Sequence, residues 1–293
     1  MTIALERLPA WLRLMRPLQW SKNAVVLAGL VFSGNAGDPN WALRALLATL
    51  AFCLVSSSMY VFNDWHDRAE DRLHPLKRLR PIAAGEIQPE RALGLGIALL
   101  GLGLIIAAVV SVAVALVVLT YALLMIVYTL WFREMAVIDI LVIACGFVLR
   151  AVAGTVAVSV SISVWLFVCT LLLALMLGAG KRRQEVNAPG TSARTRRPSL
   201  EAYSRVNLTA WVVALGCLTI LAYALYAIAV PSYGRALPMI VTVPFVVAAI
   251  CRYLYLVIRH NLGGSPELLL VRDPLLLGCI VSWMLAAGAV LAS

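Results

Sequence analysis

Asp64, Asp67 and Asp71 recur at i, i+3 and i+7 in the run Asn63-Asp64-Trp65-His66-Asp67-Arg68-Ala69-Glu70-Asp71, directly after a long apolar stretch. On a helix that spacing puts three carboxylates on one face. Three clustered like charges repel, so a cation belongs among them. Oxygen-only ligands suit a hard ion, and Mg²⁺ typically takes one or two carboxylates together with substrate phosphates. Asp64, Asp67 and Asp71 are therefore candidate metal ligands and catalytic groups, with Asn63 beside them. The plainer reading of such a cluster is a solvated acidic helix end paired with nearby arginines.

Basic residues stand close by in sequence at Lys77, Arg78 and Arg80, and again at Lys181, Arg182 and Arg183, where Glu185 is the accompanying acid. Carboxylates, Mg²⁺ and a surrounding set of Lys and Arg bind a diphosphate and stabilise it as it leaves. The other reading of the basic runs is membrane topology and attraction to lipid headgroups. Asp139 and Arg150 lie eleven residues apart in one apolar segment, on one face and about 16 Å apart along a helix axis. An arginine that deep in a span faces a cavity or a partner; a structural ion pair is the alternative to a site. Tyr128 and Arg133 close the preceding segment, and Lys22 and Asn23 mark the inner membrane surface. All four are candidate substrate contacts, with interfacial anchoring and snorkelling as the competing roles. His66, His74 and His260 have no zinc spacing.

The elements that must position these groups are membrane helices. The chain of 293 residues is 62% hydrophobic and 13% charged, with a mean hydropathy of +0.94. A soluble domain is far less apolar. Unbroken apolar runs favour helices over a barrel. The expected fold is all-α, with about nine transmembrane helices around a cavity open to the cytoplasmic face. The segments fall near 18–34, 41–62, 92–110, 113–132, 137–157, 162–180, 206–230, 236–258 and 274–292. Residues 1–17, with Glu6, Arg7, Arg13 and Arg16 among Leu and Trp, read as an interfacial amphipathic helix and not as a cleaved leader. With the N-terminus in the cytoplasm, roughly 21 of the 24 Lys and Arg fall on that side. Arg44, Arg150 and Arg235 are the exceptions. Polar chemistry is thus concentrated in caps at 63–91, 181–205 and 252–273 of a single transmembrane domain. The stretch Asn187 to Ser199 is expected to be mobile. The net charge of +10 follows from this topology and is not read as nucleic-acid affinity. The six cysteines read as reduced core residues.

The pattern N-D-x-x-D-x-x-x-D after a transmembrane helix, with nine spans, resembles the UbiA-type superfamily of intramembrane prenyltransferases. That resemblance implies two aspartate-rich motifs, after helices two and six, which hold Mg²⁺ and a prenyl diphosphate. The first matches at Asn63, Asp64, Asp67 and Asp71. The second departs: Gly180-Lys181-Arg182-Arg183-Gln184-Glu185 carries one acid where several are implied. The departure is shared by the branch that transfers phosphoribose to a lipid phosphate. Further carriers are R-P-x-Q-W-x-K-N at 16–23, H-P-x-K-R-x-R-P-I-A-x-G-x-I at 74–87, I-D-I-L-V-I-A-x-G-F-V-L-R-A-V-A-G at 138–154 and G-G-S-P-E at 263–267. Arg133 stands where the branch implies Lys.

The branch implies phosphoribosyl diphosphate as donor, a polyprenyl phosphate of decaprenyl type as acceptor, and Mg²⁺ as cofactor. It also implies a bacterial inner-membrane setting and a product that feeds cell-wall arabinan or a related glycan. Asp139 is a candidate for orienting a ribose hydroxyl. An aromatic or quinone-precursor prenyltransferase, and an anion or lipid-phosphate transporter, remain open beside this reading. The sequence also leaves a homo-oligomer open.

Overall fold

The computed structural model describes residues 8–33, 37–161, 163–187, 198–229 and 238–292. Glu6, Arg7 and Arg235 lie outside them, as does most of the stretch expected to be mobile. Every regular element among the described residues is helical. In chain order they are α1 (Ala10–Met15), a 3₁₀ run (Pro17–Leu27), α2 (Ala28–Phe32), α3 (Pro39–His66), α4 (Arg68–Leu73), α5 (Pro89–Val110) and α6 (Val112–Leu130). Then follow α7 (Ile138–Ala157), α8 (Val164–Asn187), α9 (Pro198–Ser204), α10 (Leu208–Ala229), α11 (Val243–His260), α12 (Pro266–Arg272) and α13 (Pro274–Ala292). Short 3₁₀ turns cover Lys77–Leu79, Phe132–Glu134 and Met239–Thr242.

Among the described residues, eight helices are long and apolar enough to cross a membrane. The first expected span, 18–34, is instead a 3₁₀ run followed by a five-residue α-helix. Pro17 and the polar residues Gln19, Ser21, Lys22 and Asn23 explain why no long apolar α-helix forms there. The run is fixed by its side chains: Trp20 Nε1 donates to Ser57 Oγ at 2.9 Å, and buried Asn23 reaches Cys53 and Ser56.

The chain folds into two compact units. The first takes the described residues of 1–30, 35–131 and 152–160; the second takes those of 31–34, 132–151 and 161–293. In the first unit α3 and α5 meet through small residues. Ser58 Oγ donates to the Gly96 carbonyl at 2.7 Å, and Gly103 lies against Val55 and Ala51. Such residues let membrane helices approach closely. The 3₁₀ run meets the end of α7 closest of all: a Cβ on Gly154 would collide with the Val26 carbonyl. Arg44, an exception to the inward charge bias, donates to the Ala157 carbonyl at 2.6 Å and so caps α7. Between α5 and α6 stands only Ser111, whose Oγ accepts from Val114 N at 3.1 Å.

In the second unit Met176, Ala179, Val212, Ile250, Tyr253 and Val257 form the core shared by α8, α10 and α11. Pro198 and Ser199, expected to be mobile, begin α9 instead, and Ser199 is buried with its Oγ on the Arg133 carbonyl. None of the six cysteines forms a disulfide. Only Cys53 is buried, because the outer face of a spanning helix also reads as apolar.

Candidate active site

In the first unit all three aspartates are buried where α3 ends. Asp67 is the turn between α3 and α4, yet the backbone pattern continues across it: Asp67 N reaches the Asn63 carbonyl and Asp71 N the Asp67 carbonyl, both at 2.9 Å. The carboxylates therefore keep close to the one-face arrangement that their spacing implies. Arg80 Nη1 donates to Asp64 Oδ1 at 3.0 Å and to Asp71 Oδ2 at 2.7 Å. Arg16 Nη2 donates to Asp64 Oδ1 at 2.5 Å, and its guanidinium lies over the Tyr60 ring. Asp67 meets His66 Nδ1 at 3.0 Å and Asn63 Nδ2 at 3.3 Å. Burial pushes the Asp71 carboxyl above its usual range, and the Asp64 charge adds to this. Arg80 and Lys77 pull the other way without cancelling it.

Two pieces of backbone deliver the arginines. Arg16 sits in the left-handed region at φ 53°, an uncommon place for a residue with a side chain. Arg80 is carried by a tight loop in which Glu86 N and Ile87 N both reach the Pro81 carbonyl. Gly85 supplies the positive φ of 77° that the turn needs. Ile82 and Ile87 anchor this loop in a core with Leu14, Val61 and Ala92. Arg13 and Glu86 add an ion pair.

The second unit holds a separate polar cluster. Asp139 is fully buried. Its Oδ1 accepts from the Tyr203 hydroxyl at 2.5 Å and from Ile140 N at 2.8 Å. Its Oδ2 lies 2.7 Å from Arg182 Nε, an ion pair without hydrogen-bond alignment. Arg182 continues to Glu185. Tyr203 also accepts from Val137 N at 2.7 Å, and Val137 is held at φ 71°, a true outlier for a β-branched residue. Burial and the bond to Asp139 push the Tyr203 hydroxyl well above its usual range.

The remaining candidates divide. Arg183 binds structure: its donors reach Thr209 Oγ1, Asn261 Oδ1 and the carbonyls of Val257 and Ile258, tying α8 to α10 and to the end of α11. Arg150 donates to the Gly146 carbonyl at 2.8 Å and lies over Phe147, while Asp139 on the same helix pairs with Arg182 instead. Arg133 is buried, Lys181 lies 4.0 Å from Glu185, Lys77, Lys22 and Tyr128 are half-buried, and Arg78 is exposed. The G-K-R-R-Q-E and G-G-S-P-E stretches interlock: Gly263 packs on the Gly180 carbonyl, and Gly264 N donates to Gln184. Arg16, Tyr203 and Gln184 were not among the candidate site residues. For Arg16 the adjacent R-P pair was the available signal; for Tyr203 there was none.

Among the described residues, no three His, Cys, Asp or Glu side chains stand converged as a ready metal cage. Within the acidic cluster the Arg80 guanidinium lies between Asp64 and Asp71. The donors nonetheless fit Mg²⁺, being hard oxygens of which two already meet one cationic atom, with phosphates to complete the shell.

Comparison with known proteins places the chain among relatives. Residues 23–271 match the model of the UbiA prenyltransferase family. Decaprenyl-phosphate phosphoribosyltransferase of Corynebacterium glutamicum is 34% identical, covering 93% of this chain and 84% of that protein. Its namesake in Mycolicibacterium smegmatis is 30% identical, covering 95% and 91%. A UbiA homologue from Archaeoglobus fulgidus, solved with GPP and Mg²⁺, superposes with a TM-score of 0.74 at 23% identity, over 97% of this chain and 99% of that one.

Proposed function

The chain belongs to the UbiA prenyltransferase family, and from that premise we propose that it transfers 5-phosphoribose from phosphoribosyl diphosphate to a polyprenyl phosphate of decaprenyl type, releasing diphosphate. The chain is a multi-pass membrane protein. The observation that carries the reading is the second polar cluster. Where a prenyl-diphosphate enzyme of this family has a second acidic motif, Lys181 and Arg182 stand with Glu185 as their acid. Near full-length likeness to relatives named for phosphoribosyl transfer supports the same branch.

Asp64, Asp67 and Asp71 would hold Mg²⁺, with Asn63 donating to Asp67 beside it. The ion, when bound, neutralises charge on the diphosphate as it departs. Arg80 and Lys77 bind phosphate oxygens beside it, with Arg78 at the rim. Lys22, Asn23 and Tyr128 are further substrate contacts in the first unit, and Arg133 and Arg150 in the second. Arg182 and Lys181 hold a second phosphate group. Asp139 acts through Arg182, whose guanidinium it fixes. The bond from the anomeric carbon to diphosphate breaks and its electron pair leaves with the diphosphate. An oxygen of the lipid phosphate forms the new bond. That oxygen is already ionised at neutral pH, so no strong general base is needed.

The N-terminus and the caps at 63–91, 181–205 and 252–273 face the cytoplasm across the bacterial inner membrane. The chain works as one transmembrane domain whose cavity opens to that side, and its product serves arabinan or a related glycan.

The test uses purified protein in detergent with polyprenyl phosphate, Mg²⁺ and phosphoribosyl diphosphate labelled in the ribose. Label entering the organic phase, and blocked by a chelator, is the expected result. Label that stays aqueous while labelled prenyl diphosphate is transferred to an aromatic acid overturns the reading.

A further inference from the structure

Leu73, Leu76 and Leu79 are 82%, 75% and 59% exposed, although they belong to a polar cap and not to a span. The cap has a core of its own, and these leucines are outside it: Ile82 and Ile87 are 1% and 4% exposed. Their backbone is well tied. His74 Nδ1 accepts from Leu76 N at 3.2 Å and Lys77 N at 3.3 Å, and Arg78 N reaches the His74 carbonyl. The turn therefore holds three exposed leucines within one short, tied segment.

The surroundings are basic. Residues 68–80 hold Arg68, Arg72, Lys77, Arg78 and Arg80 against Glu70 and Asp71. Asp71 is paired with Arg80, while Arg72 and Arg78 are exposed beside the leucines. The strip also starts close to a span. The only helix between Leu73 and the end of α3 is α4, whose six residues rise about 9 Å. Apolar side chains flanked by cations, next to a span end, match the boundary between acyl chains and anionic headgroups.

We propose that Leu73, Leu76 and Leu79, flanked by Arg72 and Arg78, insert into the headgroup layer of an anionic leaflet and anchor the cap there. Leu79 directly precedes Arg80, so the anchor also fixes the arginine that bridges Asp64 and Asp71. The bilayer surface is the partner, whichever group the site transfers.

The test places photoreactive benzoylphenylalanine at position 76 of the full chain, in vesicles of phosphatidylglycerol and phosphatidylethanolamine. The same residue at Ile105, 63% exposed on the spanning helix α5, is the lipid-facing control. Illumination is expected to give phospholipid adducts at both positions. The yield at 76, but not at 105, is expected to fall severalfold when neutral phosphatidylcholine replaces the anionic lipid. Adducts at 76 to a second copy of the chain overturn the proposal, as does an absence of adducts there while 105 is labelled. Equal yields in anionic and neutral vesicles overturn the role given to the arginines. If the variant at 76 does not fold, position 73 carries the probe.

Discussion

Arg182 Nε lies 2.7 Å from Asp139 Oδ2, and the two residues are 2% and 0% exposed. Removing one partner of a buried pair leaves an uncompensated charge, at a cost of about 3–5 kcal/mol. Asp139→Asn is expected to lower stability on that scale in thermal unfolding in detergent. The double variant Asp139→Asn/Arg182→Gln is expected to regain part of the loss. A single variant as stable as the parent would show that the pair does not hold α7 to α8.

Asp64→Asn and Asp67→Asn are each expected to lower turnover by at least about 100-fold. The unfolding temperature of Asp67→Asn stays near that of the parent, whereas that of Asp64→Asn, which strips a buried partner from Arg16 and Arg80, falls. Arg80→Ala, which frees both Asp64 and Asp71 of their bridge, is expected to raise KM for the donor more than it lowers kcat. Parent-level turnover by folded Asp67→Asn protein removes the metal-site assignment.

The Asp273 carboxyl is held below its usual range, chiefly by the bond from Arg252 and also by the amides that open α13. A depressed carboxylate stabilises the fold above its unfolded pKa, and that contribution is lost as pH falls through its folded pKa. Unfolding temperature should therefore drop from about pH 4 downward. Asp273→Asn should flatten this drop; an unchanged profile would sever Asp273 from acid stability.

Tyr203→Phe removes the hydroxyl that joins Asp139 Oδ1 to Val137 N. The buried Asp139 carboxylate loses a donor, at a cost of about 1–3 kcal/mol, and the Val137 amide loses its acceptor. The raised hydroxyl pKa means that the parent loses stability as pH rises above about 10, where an unfolded tyrosine ionises. The Phe variant should show a shallower alkaline limb, as circular dichroism melts from pH 8 to 11 would reveal.

Gly154→Ala places a methyl group on the Val26 carbonyl, with backbone on both sides and no flexible side chain to yield. A destabilisation of about 1–3 kcal/mol is expected. Gly94, with nothing near the added atom, is the control that should accept Ala with little change.

Much of this architecture was readable in the sequence, since apolar runs of bilayer length give the eight long spans directly. The near one-face placement of Asp64, Asp67 and Asp71 also follows from spacing, whereas their burial does not. Pairing is a different matter. Periodicity puts Asp139 and Arg150 on one face, but a face does not say which neighbour packs there, and Asp139 pairs with Arg182, forty-three residues further on. Arg183 and Arg182 are adjacent and chemically identical, yet one caps α11 and the other meets Asp139. The 3₁₀ form of Pro17–Leu27 depends on Trp20 and Asn23 finding partners on α3, a tertiary override of an apolar pattern. The left-handed backbone of Arg16 and Val137 leaves no mark in residue type at all.

Ser111 alone joins α5 to α6. During biogenesis the turn offers no polar loop that would settle on the far side of the bilayer and hold the first helix in place before the second is made. Residues 89–130 are accordingly expected to enter the membrane as one helical hairpin. A tag or reporter inserted at residue 111 would split a single insertion unit, so topology is best mapped from other connections.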